Sequence, residues 1–372
     1  MMKKIKLSKS ILSQDEVDAL ARVLLEDGYL GMGQEVKSFE EELQAFFPAQ
    51  GEVVCVNSGT AALHLGVMSV IEPGDEVLVQ SLTFAASFQA IKAAGGIPVA
   101  CEVNPHNGTL DLEDAKKKIT AKTKVIMPVH YAGGVGEYDA IYAFAKENHL
   151  RVVEDAAHAF GTQFKGRRVG SMGDVVCFSF DGIKNITAGE GGAVVSEDDV
   201  VLQFVKDARL LGIQKDTEKR FGGERSWEFD IVHSGYRYHM SNLNAAIGRV
   251  QLTKFQSFAR RRVALMFHYL ESLKDISAIE AFELDYANII PHIFPIKVLE
   301  NRDGLRECLQ HNHIETGIHY YPNHLLTYFG AQKGLLPVTE KLYEQILTLP
   351  LHPDVSDEDQ RHILQTIKRF YS

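Results

Sequence analysis

The sequence predicts an α/β protein with a large domain, built on a mostly parallel sheet flanked by helices, and a smaller C-terminal α+β domain. From about residue 15, short apolar runs alternate with helix-like segments. The runs are continuously apolar, which is typical of parallel strands buried on both faces. After about residue 285 the pattern changes to strand-like runs around one helix-like segment. We therefore assign residues 1–245 to the large domain and residues 246–372 to the smaller one.

The elements can be assigned in chain order. The first helix is predicted to begin after Ser13, because Ser13 and Glu16 have the spacing of a capping box. Strands are predicted in the runs GEVVCVNSGT, DEVLVQS, IPVACEV, KVIMPVHY, LRVVEDAA and DVVCFSF. A long helix near residues 241–273 is predicted to link the domains, because apolar residues recur there on one helix face. In the smaller domain, HIFPIKV and IETGIHYY are predicted strands and LRECLQHNH is a predicted helix.

Composition excludes several classes of function. The net charge of −10 argues against binding of nucleic acid or an anionic membrane, since both require a basic face. No apolar run approaches the ~20 residues of a membrane helix, and the N-terminal MMKKIKLSKSILSQDEV has no apolar stretch of signal-peptide length. The four cysteines have no close pair, and Cys55, Cys101 and Cys177 lie in apolar runs. We expect buried reduced thiols, no metal site and a cytoplasmic protein.

Three motifs carry candidate chemistry. In VVEDAAH, Asp155 ends a predicted parallel strand, at the edge of the sheet where ligands collect. In VNSGTAAL, a strand runs into a helix whose first N–H groups and neighbouring hydroxyls can bind an anion. In FSFDGIKNITAGEGG, Lys184 lies in a loop 29 residues after Asp155. The sequence therefore places an acid, an anion site and an amine at ends of predicted strands.

Each motif alone has an ordinary explanation, as a solvated strand end, a helix N-cap or a surface lysine. Together they match one cofactor. Pyridoxal phosphate (PLP) needs a phosphate site, an acid at its pyridine nitrogen and a lysine that forms a Schiff base. The first strand–helix turn lacks a G-x-G-x-x-G pattern, which argues against an NAD-linked oxidoreductase.

The chain resembles the sugar aminotransferases of the DegT/StrS family, which are fold-type-I PLP enzymes. The resemblance extends from about residue 5 to the end, and its runs occur in the family's order: PGDEVLVQSLTFAAS, KVIMPVHYAG, VVEDAAHAFGTQFKGRRVGSMGDVVCFSF, KNITAGEGGAVV, GYRYHMSNLNAAIGRVQL and HYYPNH. It implies a seven-stranded sheet in the large domain and a homodimer with shared active sites. Family members that dehydrate sugars carry histidine at the position of Lys184, so the lysine favours transamination.

The resemblance also implies roles for individual residues. Lys184 would form the Schiff base and shuttle a proton, and Asp155 would pair with the pyridinium nitrogen. His158 would lie near the phenolic oxygen of the ring, and Phe84 would stack on the ring. The phosphate contacts would be Gly59, Thr60, Ser179 and, from a second subunit, Asn242.

Substrate contacts are implied for four further residues, Tyr320, Tyr321 and His324 of HYYPNH, and His239, which stands where the family frequently carries arginine. The amino donor would be L-glutamate, which leaves as 2-oxoglutarate. The acceptor would be a nucleotide-linked keto sugar, in first place a dTDP-4-keto-6-deoxyhexose that becomes a 4-amino-4,6-dideoxy sugar for O-antigen or a similar surface polysaccharide. A 3-keto nucleotide sugar, a free keto-octulosonate and a non-catalytic PLP-binding regulatory role remain alternatives.

Overall fold

A seven-stranded sheet forms the centre of the larger part of the chain. The computed structural model describes residues 4–48, 51–214, 216–224 and 227–372. The strands within these residues are β1 (Glu52–Val56), β2 (Glu76–Gln80), β3 (Ile97–Cys101), β4 (Thr123–Met127), β5 (Arg151–Asp155), β6 (Gln163–Phe164), β7 (Arg167–Arg168), β8 (Val175–Ser179), β9 (Gly192–Ser196), β10 (Ile279–Ala281), β11 (Phe294–Val298) and β12 (Ile346–Leu349).

The strands of this sheet are mostly parallel, as predicted. From β8 across to β3 every neighbouring pair is parallel, whereas β9 is antiparallel to both β8 and β1. The predicted strands did not include β9, whose sequence GAVVS follows the glycine-rich loop. The strand order in the sheet is β1-β9-β8-β5-β4-β2-β3. Since β9 lies between β1 and β8 and is antiparallel to both, β1 and β8 run in the same direction. The carboxyl ends of β1, β8, β5, β4 and β2 therefore lie at one edge.

Helices cover both faces of the sheet, which explains the continuously apolar strands. In β1, Val53 and Cys55 pack into one core, and Val54 and Val56 pack into the core on the other face. The helices within the described residues are α1 (Gln14–Arg22), α2 (Gln34–Phe46), α3 (Gly59–Met68), α4 (Ala85–Ala93), α5 (Leu112–Lys118), α6 (Tyr138–Glu147), α7 (Asp199–Ala208), α8 (Asp216–Phe221), α9 (Asn242–Leu273), α10 (Arg302–His311), α11 (Pro337–Gln345) and α12 (Asp357–Phe370).

Serine N-caps fix the starts of α1, α3 and α9. The predicted capping box at the start of α1 is confirmed, with Ser13 and Glu16 each bonded to the other's backbone. Ser58 caps α3 by accepting from the Ala61 N–H, and Ser241 caps α9 in the same way. In the part of the chain that the structure describes, no helix is long and apolar enough to cross a membrane.

The C-terminal part of the chain is built on a three-stranded antiparallel sheet, β10-β11-β12. The predicted strand in HIFPIKV and the predicted helix in LRECLQHNH correspond to β11 and α10. The C-terminal half of α9 packs into the core of this sheet through Leu265, Met266 and Tyr269. The long helix thus spans both cores, while the domain division at residue 245 stays a prediction.

The predicted strand in IETGIHYY is wrong. Residues 314–321 make only isolated bridges, from Ile314 to Ile5 and from Gly317 to Thr348. This extended segment pairs with two different parts of the chain. Glu315 donates its N–H to the Ile5 carbonyl, and Gly317 exchanges hydrogen bonds with Thr348 of β12. Neither partner continues far enough to form a ladder, and the segment passes on into the cavity described next.

Candidate active site

A cavity of about 440 Å³ opens at the carboxyl ends of the parallel strands. Its walls come from the ends of β5 and β8, the start of α3 and the segments that follow β2 and β4. This is the position at which open α/β sheets bind ligands. Of the residues singled out from the sequence, the cavity is lined by Gly59, Thr60, Phe84, Asp155, His158, Ser179, Lys184 and Tyr320.

Asp155 is the last residue of β5 and its carboxylate is held by neutral donors. The Ser87 hydroxyl donates to Oδ2 at 2.7 Å, and the Ala157 backbone N–H donates to Oδ1 at 3.2 Å. Only 5% of the residue is exposed. These contacts orient the carboxylate without neutralising it, so its negative charge faces the cavity.

Lys184 lies in the loop between β8 and β9, with its side chain partly buried in the cavity wall. Burial lowers the pKa of the Lys184 amine to about 8, against the opposing charges of Asp155 and Asp181. With this pKa, about a tenth of the amine is uncharged at pH 7, a far larger fraction than for an exposed lysine. An uncharged amine is a nucleophile and a base, which an ordinary surface lysine at pH 7 is not.

We expect the Lys184 amine to react with a small acylating reagent at lower pH than an exposed lysine such as Lys341. Only the uncharged amine reacts, so its labelling should rise with pH to half its maximal rate near pH 8. The measurement is peptide mass spectrometry of the cofactor-free protein after brief labelling at a series of pH values. A Lys184 rate profile that coincides with that of Lys341 would contradict the placement of the amine.

The start of α3 and the end of β8 form a close contact at the cavity floor. A Cβ on Gly59 would lie 2.6 Å from Ser179 Cβ, so only glycine fits there without a shift. Ser58 uses its side chain to cap α3, which leaves the N–H groups of Gly59 and Thr60 without a side-chain cap. Unpaired N–H groups at a helix N-terminus carry partial positive charge and attract anions.

Aromatic and imidazole rings form the opposite wall. His158 Nε2 lies 2.8 Å from the Tyr320 hydroxyl, and the Phe84 ring packs 5.7 Å from the Tyr320 ring. Burial, followed by the Lys184 charge, lowers the pKa of His158 well below its usual range, so the imidazole is uncharged. Phe84 is 61% exposed, which is unusual for a phenylalanine and leaves its ring face open to a ligand.

Four residues that the resemblance suggested lie outside this cavity. Asn242 is buried at the start of α9, where its amide donates to the Tyr29 carbonyl. His324 is 2% exposed and has both ring nitrogens bonded, to Ser81 and to Glu340. Tyr321 and His239 also do not line the cavity, and burial lowers the pKa of His239 to about 4.

The cavity also contains residues that sequence reasoning missed. Asp181, Glu190 and His319 line it, and His292 contacts the Lys184 amine. Asp181 lies in FSFDGIKNITAGEGG and His319 in HYYPNH. Both are close in sequence to residues already named as site candidates, and this closeness could have identified them. His292 begins the predicted strand HIFPIKV, and no motif in this segment marks it as a site residue. Within the described residues, no group of His, Cys, Asp and Glu has the arrangement of a metal site.

Comparisons with known proteins agree with the fold described above. The model of the DegT/DnrJ/EryC1/StrS aminotransferase family matches residues 11–368. The spore coat polysaccharide biosynthesis protein SpsC of Bacillus subtilis (strain 168) is 32% identical to this chain over 373 residues, covering 97% of the chain and 95% of SpsC.

Solved structures show the same similarity in three dimensions. DesV of S. venezuelae is 32% identical, with a TM-score of 0.88 over 96% of this chain and 95% of DesV. The PLP form of Spr1654 from Streptococcus pneumoniae is 30% identical, with a TM-score of 0.89 over 99% of this chain and 98% of Spr1654. The similarity therefore includes both the large sheet and the C-terminal part of the chain.

Proposed function

This chain belongs to the DegT/DnrJ/EryC1/StrS aminotransferase family, and from that premise we propose that it transfers the amino group of L-glutamate to a nucleotide-linked keto sugar. The chain is a PLP-dependent transaminase of a family of sugar aminotransferases. The observation that carries the proposal is that Lys184 and Asp155 line one cavity beside the N-terminus of α3. An amine, an acid and a phosphate site are the three groups that PLP requires of a protein.

The residues of the cavity fit PLP in charge and shape. Asp155 is bonded to a hydroxyl and a backbone N–H, so its charge is available to a protonated ring nitrogen. The N-terminus of α3 would hold the phosphate through Gly59 and Thr60, with the Ser179 hydroxyl beside them. Phe84 would cover one face of the ring. His158 has a buried Nδ1 with no partner among the described residues, which leaves a polar atom beside the ring position.

When bound, PLP supplies an aldehyde that takes up amino groups and a ring that withdraws the electron pair of a broken C–H bond. The Lys184 amine would hold the aldehyde at rest. Once displaced by L-glutamate, Nζ would take the proton from the glutamate α-carbon, and in the second half-reaction it would deliver a proton to the former carbonyl carbon of the sugar. Asp155 would keep the ring nitrogen protonated throughout.

The close contact at the cavity floor gives a direct test of the phosphate site. Replacing Gly59 with alanine would force Ser179 and the start of α3 apart, because the new Cβ would lie 2.6 Å from Ser179 Cβ. We expect the affinity for PLP to fall roughly tenfold or more and the stability to fall by about 1–3 kcal/mol. Equilibrium dialysis and thermal unfolding measure these two effects.

Gly222→Ala is the matched control. The nearest atom to a Cβ at Gly222 is the Lys219 carbonyl oxygen at 3.4 Å, and its backbone is not left-handed, so alanine fits there. We expect PLP affinity and stability to remain close to those of the wild type. Unchanged PLP affinity in Gly59→Ala would remove the start of α3 from the phosphate site.

One relative supports a role in the synthesis of a surface polysaccharide. SpsC is a polysaccharide biosynthesis protein by its name, and it is similar to this chain over nearly its whole length. We propose a dTDP-4-keto-6-deoxyhexose as acceptor, aminated at C4, and a role in O-antigen or similar surface polysaccharide synthesis. A 3-keto nucleotide sugar and a free keto-octulosonate are the alternative acceptors.

A half-reaction screen distinguishes these acceptors. The enzyme is first converted to its amine-loaded form with L-glutamate and then freed of excess donor. It is next offered a panel of 4-keto nucleotide sugars, 3-keto nucleotide sugars and free keto sugars, and the return of the visible absorbance of lysine-bound PLP is recorded. A fast return with the dTDP-4-keto sugar alone supports the proposal. Lack of any response to L-glutamate favours the non-catalytic regulatory role instead.

We also propose that the enzyme is a cytoplasmic homodimer with shared active sites. The dimer is proposed from the family resemblance. The proposed contact of Asn242 with the phosphate in a second subunit rests on the family resemblance, since within its own chain Asn242 is buried and its amide donates to the Tyr29 carbonyl. The cytoplasmic location is supported by four cysteines that are all free, three of them buried as predicted.

Subunit mixing tests the shared site. Dimers made only of Lys184→Ala chains, or only of Asn242→Ala chains, are expected to have little or no activity. In a mixed dimer one of the two sites combines an intact Lys184 with an intact Asn242, so mixing should recover up to about a quarter of wild-type activity if subunits exchange freely. Sedimentation establishes the dimer separately. A mixture no more active than its two components would show that Asn242 does not complete the site of a second subunit.

A further inference from the structure

A buried histidine from the C-terminal part of the chain contacts the Lys184 amine. His292 lies just before β11, 108 residues along the chain from Lys184, and its Nε2 lies 3.4 Å from Lys184 Nζ. This distance is at the long end of the hydrogen-bond range, and such bonds tighten when a site is loaded. His292 is 4% exposed, and its ring packs 4.7 Å from the ring of His158.

The backbone at His292 is held rigidly by a buried arginine of α9. Arg262 Nη1 donates to the carbonyl oxygens of His292 at 3.1 Å, of Pro291 at 3.4 Å and of Leu351 at 3.0 Å. Burial lowers the pKa of Arg262 to about 10, so the guanidinium stays charged at neutral pH. Charge-assisted hydrogen bonds of this kind are stronger than neutral ones. The backbone that carries the His292 imidazole is therefore anchored beside the lysine.

The groups that face the Lys184 amine fall into two sets. Asp155 and Asp181 are carboxylates whose charge raises the pKa of the amine, while burial and the Arg262 charge lower it. The other set consists of three imidazoles, buried at His158 and His292 and half-buried at His319, whose pKa values are lowered first by burial and then by the Lys184 charge. These rings are uncharged at neutral pH. Within the described residues, His292 is the ring that lies within hydrogen-bond distance of Nζ.

We propose that His292 is a positioning residue that holds the Lys184 amine whenever the amine is not bonded to cofactor or substrate. Nζ donates a hydrogen bond to Nε2, which directs the lone pair of the uncharged amine toward the cavity. A carboxylate in the same place would form an ion pair and hold the amine in its charged, unreactive form. The inference rests on the proposed role of Lys184. It adds a residue that orients the amine after it has taken a proton from glutamate and before it delivers one to the sugar.

The test combines a reading without cofactor and a reading with it. In the cofactor-free full-length protein, the pH midpoint of Lys184 acylation is measured for wild type and for His292→Leu. We expect a lower midpoint in the variant, because a hydrogen-bond acceptor favours the charged amine over the uncharged one. In the PLP-loaded enzyme, we expect kcat to fall roughly tenfold with KM unchanged, because the amine is misdirected while substrate contacts remain.

Three further variants make the test specific. His292→Gln keeps an acceptor of similar reach and should restore both the midpoint and kcat. His292→Asn has a shorter amide that cannot reach Nζ, and it replaces His292→Leu if that variant does not fold. His352→Leu is the matched control, since His352 is also a buried histidine, 4% exposed, but it bonds the Lys6 carbonyl and does not line the cavity.

The proposal is overturned if the leucine or asparagine variant keeps the wild-type midpoint and kcat, if glutamine fails to rescue either value, or if His352→Leu produces the same changes. The labelling midpoint is measured without PLP. It therefore reports on the contact between His292 and Lys184 even if another residue proves to carry the cofactor, so the two claims fail separately.

Discussion

Replacing Lys184 with alanine is expected to lower the rate of amino transfer by roughly 10⁴-fold or more, because it removes both the covalent attachment of PLP and the group that moves the proton. The variant should still bind PLP through the other cavity residues, since Asp155 and the N-terminus of α3 are unaffected. The measurements are single-turnover kinetics with L-glutamate and the visible spectrum of the PLP-loaded variant.

Two controls separate this effect from a loss of structure. Lys184→Arg keeps the charge but cannot form a Schiff base, so it should be as inactive as the alanine variant. Lys341→Ala removes an exposed lysine and should retain wild-type rates. Turnover close to that of the wild type in Lys184→Ala would refute the assignment of the catalytic amine.

Replacing Asp155 with asparagine should have the second largest effect. The substitution preserves the shape of the side chain and the hydrogen bond from Ser87, but it removes the charge that keeps the ring nitrogen protonated. We expect kcat to fall roughly 10²-fold or more, which is the usual cost of losing one electrostatic group in an active site. The change should also appear as an altered spectrum of bound PLP.

The neighbouring carboxylate provides the control for Asp155. Glu154 is buried on the same strand, but it accepts hydrogen bonds from Tyr138 and Tyr142 and contacts His130 rather than the cavity. Glu154→Gln should reduce stability and leave the spectrum of bound PLP unchanged. Equal spectral changes in both variants would mean that Asp155 acts only by supporting the fold.

The parts of the site that lie directly after strands could be predicted from the sequence. Asp155 and Ser179 end adjacent parallel strands, and Lys184 follows within five residues, so periodicity and spacing alone bring them to one edge. The strand that runs into a helix in VNSGTAAL likewise indicates an anion site, while the family resemblance assigns the phosphate contacts to Gly59, Thr60 and Ser179. The family resemblance added Phe84, His158 and Tyr320, which also line the cavity.

Contacts that depend on how the C-terminal sheet packs against the cavity could not be predicted. His292 reaches Lys184 from a segment 108 residues away, and nothing in its local sequence marks this contact. His319 reaches the cavity from the same part of the chain, and its position beside Tyr320 in HYYPNH is the one sequence signal for it. The strand predicted at residues 314–321 was wrong for a related reason, because its apolar pattern reflects two separate partners. The hydrogen bonds of His324 to Ser81 and Glu340 likewise depend on tertiary structure.

The central claim is that the Lys184 amine carries PLP. The most direct measurement is reduction of the PLP-loaded enzyme with borohydride, which makes the linkage permanent, followed by digestion and mass spectrometry of the peptides. We predict one modified peptide, the one that contains Lys184, and no modification if L-glutamate is added before reduction. A modification on any other lysine, or an unmodified Lys184 in fully loaded protein, would contradict the account.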